Sequence, residues 1–156
     1  MKKWVPVAIF ALTLLLSIAL SPWWNPWTYS LSALGSASNS LGGVLFDGGV
    51  ALTGFSISHL NLKNFAQVVM ILAILSLLVG AINIDFGIYH YVVSVLLFIM
   101  IYVYVLLHGT PLAYAGTLGS VSLWISHWYL GLPPGVAIPE LSAIALAFYF
   151  LMKDST

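Results

Sequence analysis

Six polar residues of this chain have side chains that could bind a ligand or an ion. They are three carboxylic acids, two histidines and one serine, namely Asp47, Asp85, His90, Ser94, His127 and Glu140. Carboxylates and imidazoles ligate metal ions, carry protons and bind polar headgroups. Ionisable side chains are costly in or near a lipid-embedded helix, so each of them is a candidate for a functional role.

Zinc is the metal that these residue types suit best. Two histidines and one carboxylate can hold zinc and leave a fourth position for water, and His90, His127 and Asp47 are the candidates for that set. Asp85 or Glu140 would then supply a general acid or base for metal-assisted hydrolysis of a lipid. The same residues could instead bind a polar lipid headgroup or relay protons, and these alternatives stay open.

Each acid and His127 also has a purely structural interpretation. Asp47, Asp85 and Glu140 lie in or just before a predicted first helical turn, where acids interact favourably with the helix dipole. His127 precedes two aromatic residues and could simply belong to an aromatic belt at the membrane surface.

Ser94 lies four residues after His90 and therefore shares its helix face. It could hydrogen-bond a ligand or a neighbouring helix. The chain has no Walker, Rossmann or HExxH pattern, and no motif supports Ser94 as a nucleophile.

The spacing of the histidines raises haem as a second, less favoured cofactor. His90 and His108 are five helical turns apart, and His59 and His127 lie at the ends of two other predicted helices. Two histidines in each leaflet would suit bis-histidine haem ligation. The separation of His90 from His108 corresponds to about 27 Å along a helix, which puts both pairs at the membrane edges instead of its interior.

The composition indicates that lipid is the solvent for most of this surface. Of 156 residues, 62% are hydrophobic and 5% are charged, whereas soluble domains carry roughly 25% charged residues. The net charge is zero and there is no arginine, which argues against nucleic-acid binding. Cysteine is absent, which excludes disulfides and cysteine-ligated metals.

Apolar runs predict six transmembrane helices that would position the polar residues. A span needs about 20 apolar residues, and the predicted spans cover residues 4–21, 44–60, 65–82, 86–107, 112–130 and 138–152. The tryptophan-rich connection 22–43 is expected to lie on the membrane surface. The predicted fold is an all-α, polytopic bundle forming a single transmembrane domain, 1–156, in the cell membrane.

Lysine placement predicts that both termini are cytoplasmic. This orientation puts every lysine inside, namely Lys2, Lys3, Lys63 and Lys153, and three of the four acids outside. At about 1.5 Å rise per residue, the candidate side chains share one depth beneath the tryptophan-rich connection. The sequence therefore predicts an outer-leaflet polar pocket.

Several short motifs resemble one membrane family. The segments are Ser32-Ala33-Leu34-Gly35 and Leu45-Phe46-Asp47-Gly48-Gly49 with Gly54, followed by Gly80, His90 and Phe98. Over residues 20–100 this arrangement is similar to the six-span family catalogued as domain of unknown function 998. The family's turn aspartate is Ala33 here, and its asparagine on the second span is Asp47. The resemblance implies six spans and a role for Asp47 and His90, but it implies no reaction.

Two classes of function are favoured by these features, and electron transfer through bis-histidine haem is a third, less favoured one. The first is a membrane protein that binds a lipid or small ligand in its outer pocket, with metal-assisted lipid hydrolysis as its sharper form. The second is a non-enzymatic accessory subunit of a larger membrane complex, in which Gly116 and Gly119 would let another transmembrane helix approach closely. The expected partners are membrane lipids and, in the second class, other transmembrane helices.

Overall fold

The apolar runs of the sequence form α-helices in a computed structural model that describes residues 2–60 and 64–154. Within these residues there are no strands. The helices are α1 (Trp4–Ala19), α2 (Ser40–Ser58), α3 (Ala66–Ala81), α4 (Ile88–Leu106), α5 (Pro111–Leu130) and α6 (Ala137–Asp154). Three short 3-10 helices lie in the connections, at Ser32–Gly35, Ala37–Asn39 and Ile84–Phe86.

Local signals account for the two ends of α5. The Thr110 hydroxyl accepts a hydrogen bond from the Ala113 amide at 3.2 Å, and Pro111 occupies the first turn. Both features satisfy or remove amides that have no partner within the helix. Gly131 ends the helix with φ of +65°, a conformation that glycine adopts without steric cost.

Each predicted span overlaps one of the six α-helices, and two of the starts differ by two to four residues. Helix α2 begins at Ser40 and not at residue 44, because Gly42 packs against α1 and its carbonyl accepts a hydrogen bond from the Ser17 hydroxyl at 2.7 Å. Helix α4 begins at Ile88 and not at residue 86. A 3-10 turn capped by the Asn83 side chain occupies the preceding residues.

Among the residues that the structure describes, two helical stretches are long and apolar enough to cross a membrane. They are Ala37–Ser58, with a mean hydropathy of 1.3, and α4, with a mean hydropathy of 2.1. Helices α1 and α3 are apolar but shorter, at 16 residues each. Lys63, which the orientation argument used, lies outside the described residues.

Five helices surround a central space, and α5 packs outside them. Helix α2 lies between α1 and α3, α3 contacts α4, and α4 contacts α6. Phe10 of α1 packs against Phe148 of α6, with 5.5 Å between the centroids of their aromatic rings. This contact closes the circle of five helices. Helix α5 packs on α4 and α6 from outside.

Small residues bring α2 close to its neighbours. A Cβ atom placed on Gly80 of α3 would lie 2.5 Å from the backbone oxygen of Asp47, and one on Gly54 would lie 2.6 Å from the backbone oxygen of Ala73. The Ser76 hydroxyl donates to the Val50 carbonyl at 2.9 Å across the same contact. Small residues and interhelical hydrogen bonds are the features that hold transmembrane helices together.

The two ends of the bundle differ in what they carry. We call one the loop end, because it holds the connections 20–39, 82–87 and 131–136. We call the other the terminal end, because the start of α1 and the end of α6 lie there. Lys2, Lys3 and Lys153 are at the terminal end, next to the start of α1 and in the last turn of α6.

Candidate functional site

A cavity runs through the centre of the helix ring. Its volume is about 100 Å³. Side chains from α1, α2, α3, α4, α6 and the first 3-10 turn line it, and most of them are apolar. The polar exceptions are Ser32, Thr53, Ser76, Ser94, Tyr104 and Glu140. Folded proteins rarely leave a gap of this size unfilled, so the cavity is a candidate ligand site.

The cavity is long, and Glu140 lies at its loop end. On α6 it extends from Glu140 to Leu151, which corresponds to about 16 Å along the helix. Glu140 is the sole Asp, Glu, Lys or His residue in its lining. Such a space fits one extended hydrocarbon chain with a polar group at the Glu140 end.

Glu140 connects the loop end to α6. Its Oε2 atom accepts a hydrogen bond from the Leu31 amide at 2.6 Å, and only 7% of the residue is exposed. The connection 20–39 is itself ordered by side-chain bonds, including one from the Trp24 indole to the Ser30 carbonyl at 2.8 Å. Leu31 and Ser32 therefore cover the cavity at the loop end, and Glu140 holds them there.

Ser94, His90 and the Ile82 carbonyl form a hydrogen-bonded chain beside the cavity. Ser94 Oγ lies 3.2 Å from His90 Nε2, and His90 Nδ1 makes a short hydrogen bond to the carbonyl oxygen of Ile82. A carbonyl oxygen can only accept, so Nδ1 carries the proton and the neutral ring presents a lone pair at Nε2. The Ser94 hydroxyl therefore donates to His90. Of the two side chains, Ser94 is the one that lines the cavity.

Asp47 and Asp85 hold the connection at the loop end and do not line the cavity. The Asp47 carboxyl group lies directly over Gly35, where an added Cβ would be 2.1 Å from Oδ1, and it interacts with the Asn83 side chain. The Asp85 carboxylate accepts hydrogen bonds from the Ala37 amide at 2.6 Å and the Ser36 hydroxyl at 3.1 Å. Both contacts fix the backbone of 32–39.

His127 is separate from the other predicted residues. Its Nδ1 atom donates to the Pro133 carbonyl at 2.8 Å, in the turn that follows its own helix. The predicted set is therefore divided. Glu140 and Ser94 line the cavity, and His90 lies behind Ser94. Nowhere in residues 2–60 and 64–154 do three or more His, Asp or Glu residues form a group that could hold a metal ion. The zinc set stays a prediction.

The two histidines at the terminal end have local partners. His108 Nε2 lies 2.9 Å from Asp154 Oδ2, and its Nδ1 lies 3.0 Å from the Tyr104 carbonyl oxygen. The Tyr104 hydroxyl also donates to Asp154 at 2.8 Å. His59 Nδ1 bonds the Phe55 carbonyl at 2.9 Å. Both ring nitrogens of His108 have hydrogen-bond partners in the protein, so ligation of haem by His108 would require one of these hydrogen bonds to break. Haem binding stays a prediction.

Several cavity residues were not predicted from the sequence. Thr53 and Ser76 are buried hydroxyl residues within apolar helices, which is a signal that could have marked them. Among the glycines of α5, Gly116 approaches the Leu146 side chain, whereas Gly119 has open space beside it.

No family model, no curated protein and no solved structure matches this chain. The resemblance to the family of domain of unknown function 998 accordingly stays a prediction.

Proposed function

We propose that this chain is a multi-pass membrane protein that binds a single-chain amphiphilic lipid in its central cavity. The cavity carries the proposal, because it combines a long, mostly apolar lining with a carboxyl side chain, Glu140, at the loop end. The hydrocarbon chain would lie between the helices, and the polar head would lie near Glu140.

Exposed apolar side chains support placement of the helix ring in lipid. Helix α4 has a mean hydropathy of 2.1, yet only 22% of that stretch is buried. The core helix of a water-soluble protein would be mostly buried. Large apolar residues are also exposed on the other helices, among them Leu15 at 65%, Leu118 at 70% and Phe55 at 54%. Lipid is the solvent that suits such a surface.

The charges favour six spans with both termini in the cytoplasm. The terminal end carries Lys2, Lys3 and Lys153, and short cytoplasmic segments are enriched in lysine. The loop end carries Trp23, Trp27 and other exposed aromatic residues typical of a membrane surface. Helices α1 and α3 are about 24 Å long, shorter than the ~30 Å hydrocarbon core, and local thinning would accommodate them.

The lining also limits the chemistry of the ligand head. Moving a hydrocarbon tail from lipid into an apolar cavity changes its free energy little. The selectivity of the cavity among lipids would therefore come from contacts with the polar head. Among the described residues that line the cavity, Glu140 is the one with an acidic side chain. A carboxyl group disfavours a ligand with an anionic head. A neutral head with hydroxyl groups, such as glycerol, could donate hydrogen bonds to Glu140 and Ser94. Single-chain acylglycerols are therefore the ligand class we propose.

Binding can be tested with a radiolabelled dodecyl glyceryl ether and the purified protein in lipid nanodiscs. Ala147 lines the cavity, so Ala147→Phe should fill part of it and weaken binding about tenfold or more, equal to 1.4 kcal/mol. Ala145 lies two residues away on the same helix and is exposed, so Ala145→Phe is the matched control. Equal affinities of the two variants, or the absence of any saturable binding, would contradict the proposal.

Topology can be tested by cysteine labelling, because the natural chain has no cysteine. Trp27→Cys should react with a membrane-impermeant maleimide in intact cells, whereas Lys3→Cys should react only after the membrane is opened. Labelling of both positions from the same side would refute the arrangement with a cytoplasmic terminal end.

A further inference from the structure

We propose that Ser94 is a nucleophile, that His90 is its general base, and that the pair cleaves the ester bond of a fatty-acyl lipid. This inference rests on the proposed function, since the cavity must hold the acyl chain beside Ser94. Ser94 lines a mostly apolar chamber, and His90 lies directly behind it.

The distance between the two side chains is that of a nucleophile and its base. Ser94 Oγ and His90 Nε2 are 3.2 Å apart, at the upper end of hydrogen-bond reach, and such distances are commonly long when no substrate is bound. The positions are four residues apart on α4, so one rigid helix sets their geometry.

A third group orients the base. The Ile82 carbonyl fixes the proton on Nδ1 of His90, which leaves Nε2 free to take the Ser94 proton. Ile82 is the residue that caps the C-terminal end of α3. His90 is 6% exposed, so water competes little for these bonds.

The cavity places the substrate. From Ser94 to Tyr104 the lining of α4 extends about 15 Å toward the terminal end, which gives an acyl chain room beyond the nucleophile. The ester carbonyl would then lie near Ser94 and the alcohol portion near Glu140 at the loop end. The substrate class is the carboxylic ester of a medium-chain fatty acid with a neutral alcohol such as glycerol.

The reaction would proceed in two balanced steps. Ser94 Oγ attacks the ester carbonyl carbon, its proton passes to His90 Nε2, and the ester C–O bond breaks. The alcohol leaves with the proton from His90, and the acyl group remains on Ser94 as an ester. Water then attacks this acyl group with His90 as base, which releases the fatty acid and restores the Ser94 hydroxyl.

An alkyl fluorophosphonate tests the pair directly on the full-length protein in nanodiscs. Ser94 Oγ should attack phosphorus, fluoride should leave, and the Ser94 proton should pass to His90. Intact mass should show one adduct, and peptide mass spectrometry should map it to Ser94. Ser94→Ala should abolish it, whereas Ser122→Ala should not, because Ser122 is an exposed serine on α5.

His90→Gln separates a base from a structural partner. A glutamine amide can still hydrogen-bond Ser94 but cannot take its proton, so the labelling rate should fall about 100-fold or more. Hydrolysis of monododecanoylglycerol should fall in parallel. An unchanged labelling rate in His90→Gln would overturn the assignment of His90 as base.

The outcomes also separate this inference from the proposed function. If the protein binds dodecyl glyceryl ether but forms no adduct, or forms it at another residue, the acyl-transfer proposal is wrong and the binding proposal stands. If the ether does not bind, both are wrong. The site of the adduct in the wild-type protein decides the question even where a variant does not fold.

Discussion

Replacing Gly80 by alanine should destabilise the protein, whereas the same change at Gly48 should not. At Gly80 the new Cβ would lie 2.5 Å from the Asp47 carbonyl oxygen and 2.7 Å from the Ala51 amide nitrogen. Both are backbone atoms, so no side-chain rotation can relieve the contact and α2 must move away from α3. At Gly48 the added methyl group would enter open space.

Two opposing effects set the change in the free energy of unfolding. Alanine is favoured over glycine in a helix interior by about 1 kcal/mol, and this term applies equally at both positions. Overpacking costs about 1–3 kcal/mol, and backbone contacts put Gly80→Ala at the upper end. The expected net loss for Gly80→Ala is therefore about 2 kcal/mol. For a chain of this size, that lowers the melting temperature by roughly 4–8 °C.

Thermal unfolding in one detergent, followed by near-ultraviolet circular dichroism, would measure the difference. Gly48→Ala should melt at or above the wild-type temperature. Gly54→Ala should behave like Gly80→Ala, since its Cβ would lie 2.6 Å from the Ala73 carbonyl oxygen in the same helix contact. If Gly48→Ala and Gly80→Ala melt together, close backbone approach does not hold α2 against α3, and the packing argument fails.

Three further stability effects should be measurable in the same detergent. Glu140→Ala leaves the buried Leu31 amide unpaired and should cost about 1–3 kcal/mol, whereas Glu140→Gln keeps an acceptor oxygen and should lose less; equal losses would refute this. Thr117→Val replaces a buried hydroxyl that has no hydrogen-bond partner among the described residues, so it should raise the melting temperature. His108→Ala and Asp154→Ala should each destabilise, and the double variant should lose clearly less than their sum.

The helices could be predicted from the sequence because their apolar runs are interrupted by turn residues. The start of α2 could not, because Gly42 has no hydrophobic signal and is held by the Ser17 hydroxyl of another helix. Connection 22–43 was expected on the membrane surface. Its middle turns inward, because Leu31 bonds to Glu140, which is 109 positions later in the chain.

The position of a side chain along its helix was easier to predict than the direction in which the side chain faces. The rise per residue predicts that Asp47, His90 and Glu140 lie at a similar depth. It does not tell which of them face a common space, since that depends on how the helices pack. The contact between Ser94 and His90 follows from their four-residue spacing alone. The participation of Ile82 does not, because it depends on where α3 ends.

The order of the helices around the ring has a consequence for biosynthesis. Helices α1, α2 and α3 are neighbours both in the chain and in space, so their contacts can form as soon as the first half of the protein has been synthesised. The ring is completed only by α6, through Phe148 and Glu140. A nascent chain would therefore be packed in its first half long before it has a chamber. Under the proposed function, its capacity to hold a lipid would arise only when α6 joins the other helices.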